Sequence, residues 1–176
     1  TNDRSIYDRA RIIRDLGRRC KSDKTFSDKP FDFIYPAHNL RLNNILASLG
    51  VSQLKKIDKL IGKRQDIAKK YKMELTRVSQ IKTFSHPKSQ LISYQIFPIL
   101  AEKRDELSNY LTKKGIGNRV YFESLANSYC YKKFKKPLPV TDQVSKKILA
   151  IPFFTNISND QIKFIINEIK KFYKEN

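Results

Sequence analysis

Between Val51 and Val78 the apolar residues Val51, Leu54, Ile57, Ile61, Ala68, Tyr71, Leu75 and Val78 fall three, four or seven positions apart, with lysines between them. That spacing is one face of an α-helix about seven turns long. A helix with a single apolar stripe is not stable by itself, so the rest of the chain has to cover it. Gly62 interrupts the stripe at a cost of about 1 kcal/mol relative to alanine, which packing can absorb. Just upstream, Asn39 to Gly50 reads as a shorter helix, with Leu42, Ile45, Leu46 and Leu49 on one face and Gly50 as its stop.

The cover is legible downstream. Leu91 to Leu100 (LISYQIFPIL) has the composition of a strand, and Pro98 near its end points to an edge position or a bulge, because proline cannot donate to a ladder. Glu102 to Lys114 reads as a helix closed by Gly115, and Gly117 to Phe122 as a second strand. Thr141 to Leu149 follows as a short helix. Ser158 opens the last helix with Gln161 in capping-box position, and Ile162, Ile165, Ile166, Ile169 and Phe172 form its buried stripe. At the front, Thr1 to Arg19 reads as an amphipathic helix capped by Thr1 or Asn2 and stopped by Gly17. Cys20 to Ala37 is then a connecting loop with an extended stretch at Phe31 to Tyr35. These elements predict an α+β fold: a small antiparallel sheet covered by helices, one of them long. The front helix has no domain of its own, and Cys20 to Ala37 is the candidate boundary, with 38–176 the main domain.

Composition narrows the function classes. The 176 residues are 40% hydrophobic with only 5 Gly and 7 Pro, the balance of a globular protein. No apolar run reaches the roughly 20 residues of a membrane helix, and Thr1 to Arg14 has no signal-peptide core, so a soluble, cytoplasmic protein is expected. Cys20 and Cys130 form no C-x-x-C pair, and His38 and His86 with scattered carboxylates make a poor metal site. Nucleotide-binding glycine motifs and the serine nucleophile elbow are absent. The net charge of +19, from 36 Lys and Arg against 17 Asp and Glu, raises nucleic acid as a partner. The basic residues, however, are spread over nearly every segment, which is the pattern of a solvated surface.

Four blocks in order resemble the DegT/DnrJ/StrS sugar aminotransferases. TNDRSIYDRARIIRDLG (1–17) is similar to the family's T-N-D-x-x-L-A-x-x-A-R-x-L-R-x-H-G, with Leu16 where histidine is common. HNLRLNNILASLGVSQLKKIDKLIGKRQDIAKKY (38–71) resembles G-Y-N-x-R-M-x-x-I-Q-A-A-L-G-x-x-Q-L-x-x-L-D-x-x-I-x-x-R-R-x-I-A-x-x-Y and is the most specific of the four. FPILAEKRDELSNYLTKKGIGNRVYF (97–122) and LPVTDQVSKKILAIPFFTNISNDQIKFIINEIKKFY (138–173) resemble the later blocks.

The resemblance implies the C-terminal small domain of a fold-type I enzyme dependent on pyridoxal 5'-phosphate (PLP), with residues 1–37 left from the large PLP-binding domain. It implies a homodimer whose sites borrow residues across the subunit interface. Asn39 matches the family asparagine that reaches the cofactor phosphate, and Arg41 the arginine that anchors its loop. Asn39 would serve equally well as the cap of the helix that follows. Arg119, Tyr121 and Phe122 match the strand and loop that approach the nucleotide-sugar, where an arginine suits a diphosphate and an aromatic ring a sugar or base face.

The departures are Ala37 and His38 before the asparagine, Gln95 for a strand histidine, Ala126 for the substrate-loop histidine and Glu123 for a proline. The family's Schiff-base lysine and pyridinium aspartate lie upstream of the matched blocks, so no catalytic residue is assigned. The chain alone is expected to be inactive and to bind no cofactor. The intact enzyme would move an amino group, with glutamate as donor, to a nucleotide-linked keto-sugar. Two rival readings are a non-catalytic dimerisation or regulatory remnant and a basic nucleic-acid-binding module.

Overall fold

The computed structural model of the chain describes residues 1–19, 32–87, 89–134 and 136–175. Cys20, and Phe31 of the expected extended stretch, lie outside them. The chain divides into two compact units, Thr1–Lys55 and Lys56–Asn176.

The first unit begins with helix α1, Arg4–Arg14. Its N-cap is Asp3 rather than Thr1 or Asn2: Asp3 Oδ1 accepts from the Ser5 and Ile6 amides at 2.8 and 3.2 Å, and Thr1 is used instead to accept from the Asp3 amide. A carboxylate at this position also meets the positive end of the helix dipole, which a hydroxyl does not exploit. The helix stops through two successive left-handed residues, Leu16 and Gly17, and the Gly17 amide closes back on the Ile12 carbonyl at 2.9 Å. The chain then returns antiparallel to this exit. Ile34 bonds to Gly17, His38 accepts from Leu16, and Leu40 donates to Arg14, giving bridges Arg18↔Phe33 and Asp15↔Asn39.

Helix α2, Asn44–Leu54, follows and is capped by Asn43, whose Oδ1 accepts from the Leu46 amide at 2.8 Å. Asn39 is therefore not the cap. Gly50 lies inside α2 and does not stop it; the interruption falls instead at Lys55 and Lys56, where Lys56 leaves helical geometry with φ −122°. A glycine ends a helix only where the chain needs a left-handed residue, and Gly50 has no positive φ. Within its unit α2 buries no residue.

The second unit starts with α3, Ile57–Leu75, which buries Ile67, Ala68, Tyr71 and Leu75. Three short strands make one antiparallel sheet in the order β1 (Ile81–Thr83), β2 (Phe97–Ala101), β3 (Ile148–Ile151). Helices α4 (Arg104–Lys113), α5 (Pro139–Lys147) and α6 (Asn159–Glu175) complete it. Two short 3-10 helices, Leu125–Asn127 and Tyr129–Phe134, lie between α4 and α5.

The core is the layer between helices and sheet, where Tyr71, Leu75, Ile99, Leu107, Leu111, Leu149 and Ile169 are fully buried. Each aliphatic side chain so buried contributes about 1.5–3 kcal/mol. α6 carries the expected stripe, and its capping box is complete: Gln161 donates to Ser158 Oγ, and the Ser158 amide donates to Gln161 Oε1.

Three strand expectations are corrected. Residues 91–96 are irregular, and the regular pairing starts only at Phe97. Gly117 to Phe122 is not a strand: it joins the sheet through one bridge, Arg119↔Ala150, because the close of α4 at Gly115 delivers it alongside β3 for a single residue pair. Pro98 lies in the central strand rather than at an edge. The register explains this, since β1 ends at Thr83 opposite Ile99, so Pro98, which faces Ala150 of β3, has no β1 residue paired on its other side.

Candidate functional site

The five predicted site residues form two groups, one in each unit. In the first unit, the bridge Asp15↔Asn39 sets the backbone of residue 39 beside the exit of α1. Arg41 Nε donates to Asn39 Oδ1 at 3.1 Å, and the Arg41 amide approaches the same oxygen at 3.4 Å. The Arg41 Nε also lies 3.0 Å from Asp15 Oδ1, whose side chain is 0% exposed while Arg41 is 46% exposed. Among the described residues, neither Asp15 oxygen has an aligned hydrogen bond. Nε carries one hydrogen, and its direction serves Asn39, so the contact with Asp15 is an ion pair rather than a hydrogen bond. Asn39 itself is exposed, and among the described residues its Nδ2 donates to nothing. What results is a neutral N–H₂ donor pointing away from a guanidinium that is itself pinned by a buried carboxylate.

In the second unit, Arg119 exchanges both backbone hydrogen bonds with Ala150, at 3.0 and 2.7 Å. Its guanidinium lies 5.3 Å from the Tyr121 ring centroid, within cation–π range. Tyr121 and Phe122 meet edge to face at 5.0 Å, and Phe122 is 72% exposed. The three residues are thus brought together as an aromatic wall with a positive head. Asn118 sets them in place. It accepts from Ser108 Oγ at 2.6 Å, and its Nδ2 reaches Ser108 O, Thr112 Oγ1 and Ile116 O at 3.1 to 3.2 Å, tying the turn before Arg119 to α4.

Sequence reading did not find Asp15 or Asn118. For Asn118, the glycines at 115 and 117 mark a turn in which an asparagine side chain commonly bonds the backbone. For Asp15 the signal was weaker: a lone acid between the last turn of α1 and Gly17, whose partner lies far along the chain. His86 lies in a loop, as expected, and Cys130 is exposed. Among the described residues no group of three or more His, Cys, Asp or Glu could hold a metal ion, and no helix is long and apolar enough to cross a membrane.

Residues 1–170 match the model of the DegT/DnrJ/EryC1/StrS aminotransferase family. GDP-perosamine synthase of Escherichia coli O157:H7 is 29% identical over 178 residues, covering 99% of this chain and 46% of that enzyme. The UDP-4-amino-4,6-dideoxy-N-acetyl-beta-L-altrosamine transaminase of Campylobacter jejuni subsp. jejuni serotype O:2 is 30% identical over 156 residues, 81% of this chain and 42% of that one. Spr1654 of Streptococcus pneumoniae, solved in a PLP-form, shares the fold with a TM-score of 0.81 at 21% identity, over 99% of this chain and 45% of that one. The chain spans about half the length of these relatives. Since the match runs almost from end to end and the fold agrees with it, the chain belongs to the DegT/DnrJ/EryC1/StrS aminotransferase family.

Proposed function

We propose that the whole protein transfers an amino group from an amino acid, with glutamate as donor, to the keto carbon of a nucleotide-linked sugar in the cytoplasm. The sugar carbonyl becomes a carbon bearing hydrogen and an amine, and the amino acid leaves as its 2-keto acid. Bound PLP would supply the electron sink for that exchange. This chain's own residues hold the reactants, and the lysine that would carry the cofactor is expected in the part of the relatives' length that the chain does not span.

The observation that carries the reading is the orientation of Asn39. With its oxygen engaged by Arg41, its exposed nitrogen is left to donate. That donor set fits a phosphate: an amide N–H₂ gives hydrogen bonds without adding charge, and the adjacent guanidinium favours the anion. Arg119 would meet a diphosphate, with Tyr121 and Phe122 against a sugar or base face. Residues 1–37 would belong with the large PLP-binding domain and 38–176 form the small domain.

A homodimer fits the same picture, with Asn39 reaching the neighbouring subunit's cofactor. Its support is α2, which presents Ile45, Leu46 and Leu49 to solvent, with Leu42 exposed just before its cap. Neither the remnant reading nor the nucleic-acid reading draws support from relatives that are a synthase and a transaminase of nucleotide sugars. The test is to supply the whole protein with PLP, glutamate and a panel of nucleotide-linked keto-sugars. Mass spectrometry should show replacement of the keto oxygen by an amine. A protein that retains PLP yet aminates none of the panel would refute the substrate class; one that does not retain PLP would refute the cofactor.

A further inference from the structure

We propose that Asp15 is a positioning residue: acting through Arg41, it fixes the side-chain amide of Asn39 with its nitrogen outward. The inference rests on the proposed phosphate role of Asn39 and adds a residue that touches no reactant.

The argument begins with the environment of Asp15. Its side chain is 0% exposed, and neither of its oxygens has an aligned hydrogen bond among the described residues. A carboxylate removed from water in this way is tolerated only beside a compensating charge, and among the described residues that charge is Arg41, with Nε at 3.0 Å. The Arg41 side chain is half in solvent, where a free arginine would sample many rotamers. Attraction to the buried carboxylate holds its Nε end close to the protein.

The second step is local geometry. The single Nε hydrogen is aimed at Asn39 Oδ1, 3.1 Å away. Oxygen and nitrogen of an asparagine amide are nearly the same size, so packing alone does not decide which of them faces inward. A flipped amide would set two donors of Asn39 against a cationic donor, which electrostatics forbids. The backbone keeps the three residues in register: Asp15 and Asn39 are bridge partners, flanked by the Leu16 to His38 and Leu40 to Arg14 hydrogen bonds at 3.1 and 2.9 Å. A buried negative charge thereby determines the polarity of an exposed neutral group two contacts away.

The test is nuclear magnetic resonance of the Asn39 side-chain N–H₂ in the 176-residue chain, which needs no cofactor. Asp15→Asn keeps the shape of the side chain and removes its charge. It should move the Asn39 Nδ2 resonances to free-asparagine positions while the signals of the second unit stay unchanged. Arg41→Lys separates positioning from simple charge balance. It keeps a cation near Asp15 but has no Nε–H in place, so it should cause the same loss. Because Arg41 is half exposed, that variant also serves if Asp15→Asn fails to fold. An unmoved Asn39 signal in folded Asp15→Asn or in Arg41→Lys would overturn the proposal.

In the whole protein, Asp15→Asn and Asn39→Ala should each weaken PLP binding about tenfold, and the double variant no further, since the two act on one contact. If Asn39→Ala leaves PLP binding intact while the resonance changes stand, the phosphate reading fails and the positioning role survives. If the double variant loses affinity additively, Asp15 acts elsewhere and the positioning role fails.

Discussion

At the scale of single residues, the exit of α1 depends on Gly17. Its φ is +78°, and a Cβ there would lie 1.8 Å from the Tyr35 carbonyl oxygen, a backbone atom that cannot swing aside. Gly17→Ala should therefore destabilise the first unit by about 2 kcal/mol or more, combining left-handed strain with a forced separation of the paired segments. Urea titration followed by a probe in α1 measures this. Arg119 makes the opposite case. Its backbone is fixed by Ala150 and the Asn118 ties, while its guanidinium stands free of them against Tyr121. Arg119→Ala should leave the melting temperature within a degree or so and raise the KM of the whole protein for the proposed nucleotide-sugar substrate about tenfold or more, the usual loss for a charge-assisted contact to phosphate. A KM that does not move would remove Arg119 from the substrate site.

Among the elements, α6 was readable almost in full because everything it needs is local: a stripe at helical spacing and a capping box three residues apart. Ser158→Ala should cost about 1 kcal/mol, visible as a lower urea midpoint of the second unit. The same helix is fastened to α3 by Lys170, which hydrogen-bonds Glu74. That bond, and then the charges of Lys170 and Arg77, hold the Glu74 carboxyl below the ordinary value of 4.5. A lowered folded-state pKa gives stability that is present above the ordinary value and lost as the pH falls through the shifted one. Lys170→Met should accordingly flatten the loss of stability as the pH falls below the ordinary value of 4.5 while leaving the alkaline side unchanged.

What resisted reading was whatever depended on a distant partner. β1 is three residues long and is a strand only because β2 runs beside it. Residues 117–122 have strand-like composition, yet one bridge is all that the close of α4 leaves them. Asn39 reads as the cap of the helix that follows, yet Asn43, three residues before the Leu46 amide, takes that position. Asp15 carries no local signal, because Arg41, the residue it pairs with, lies 26 positions away.

For the molecule as a whole, the informative contrast is between its two units. The second has an inside: a sheet, four helices and a continuous set of fully buried side chains. The first has hydrogen-bonded bridges and a helix that buries nothing, with Ile45 80% and Leu46 54% exposed. If α2 is the homodimer face proposed above, replacing Ile45 and Leu49 by lysine should abolish self-association in analytical ultracentrifugation without lowering the stability of the second unit, because neither side chain supports its core. An unchanged sedimentation profile would argue that α2 is not the contact. The same imbalance ties the first unit to dilution. If a second copy covers α2 as proposed, it arrives by mass action, so the first unit should melt at higher temperature as protein concentration rises, while the second melts at a temperature indifferent to it.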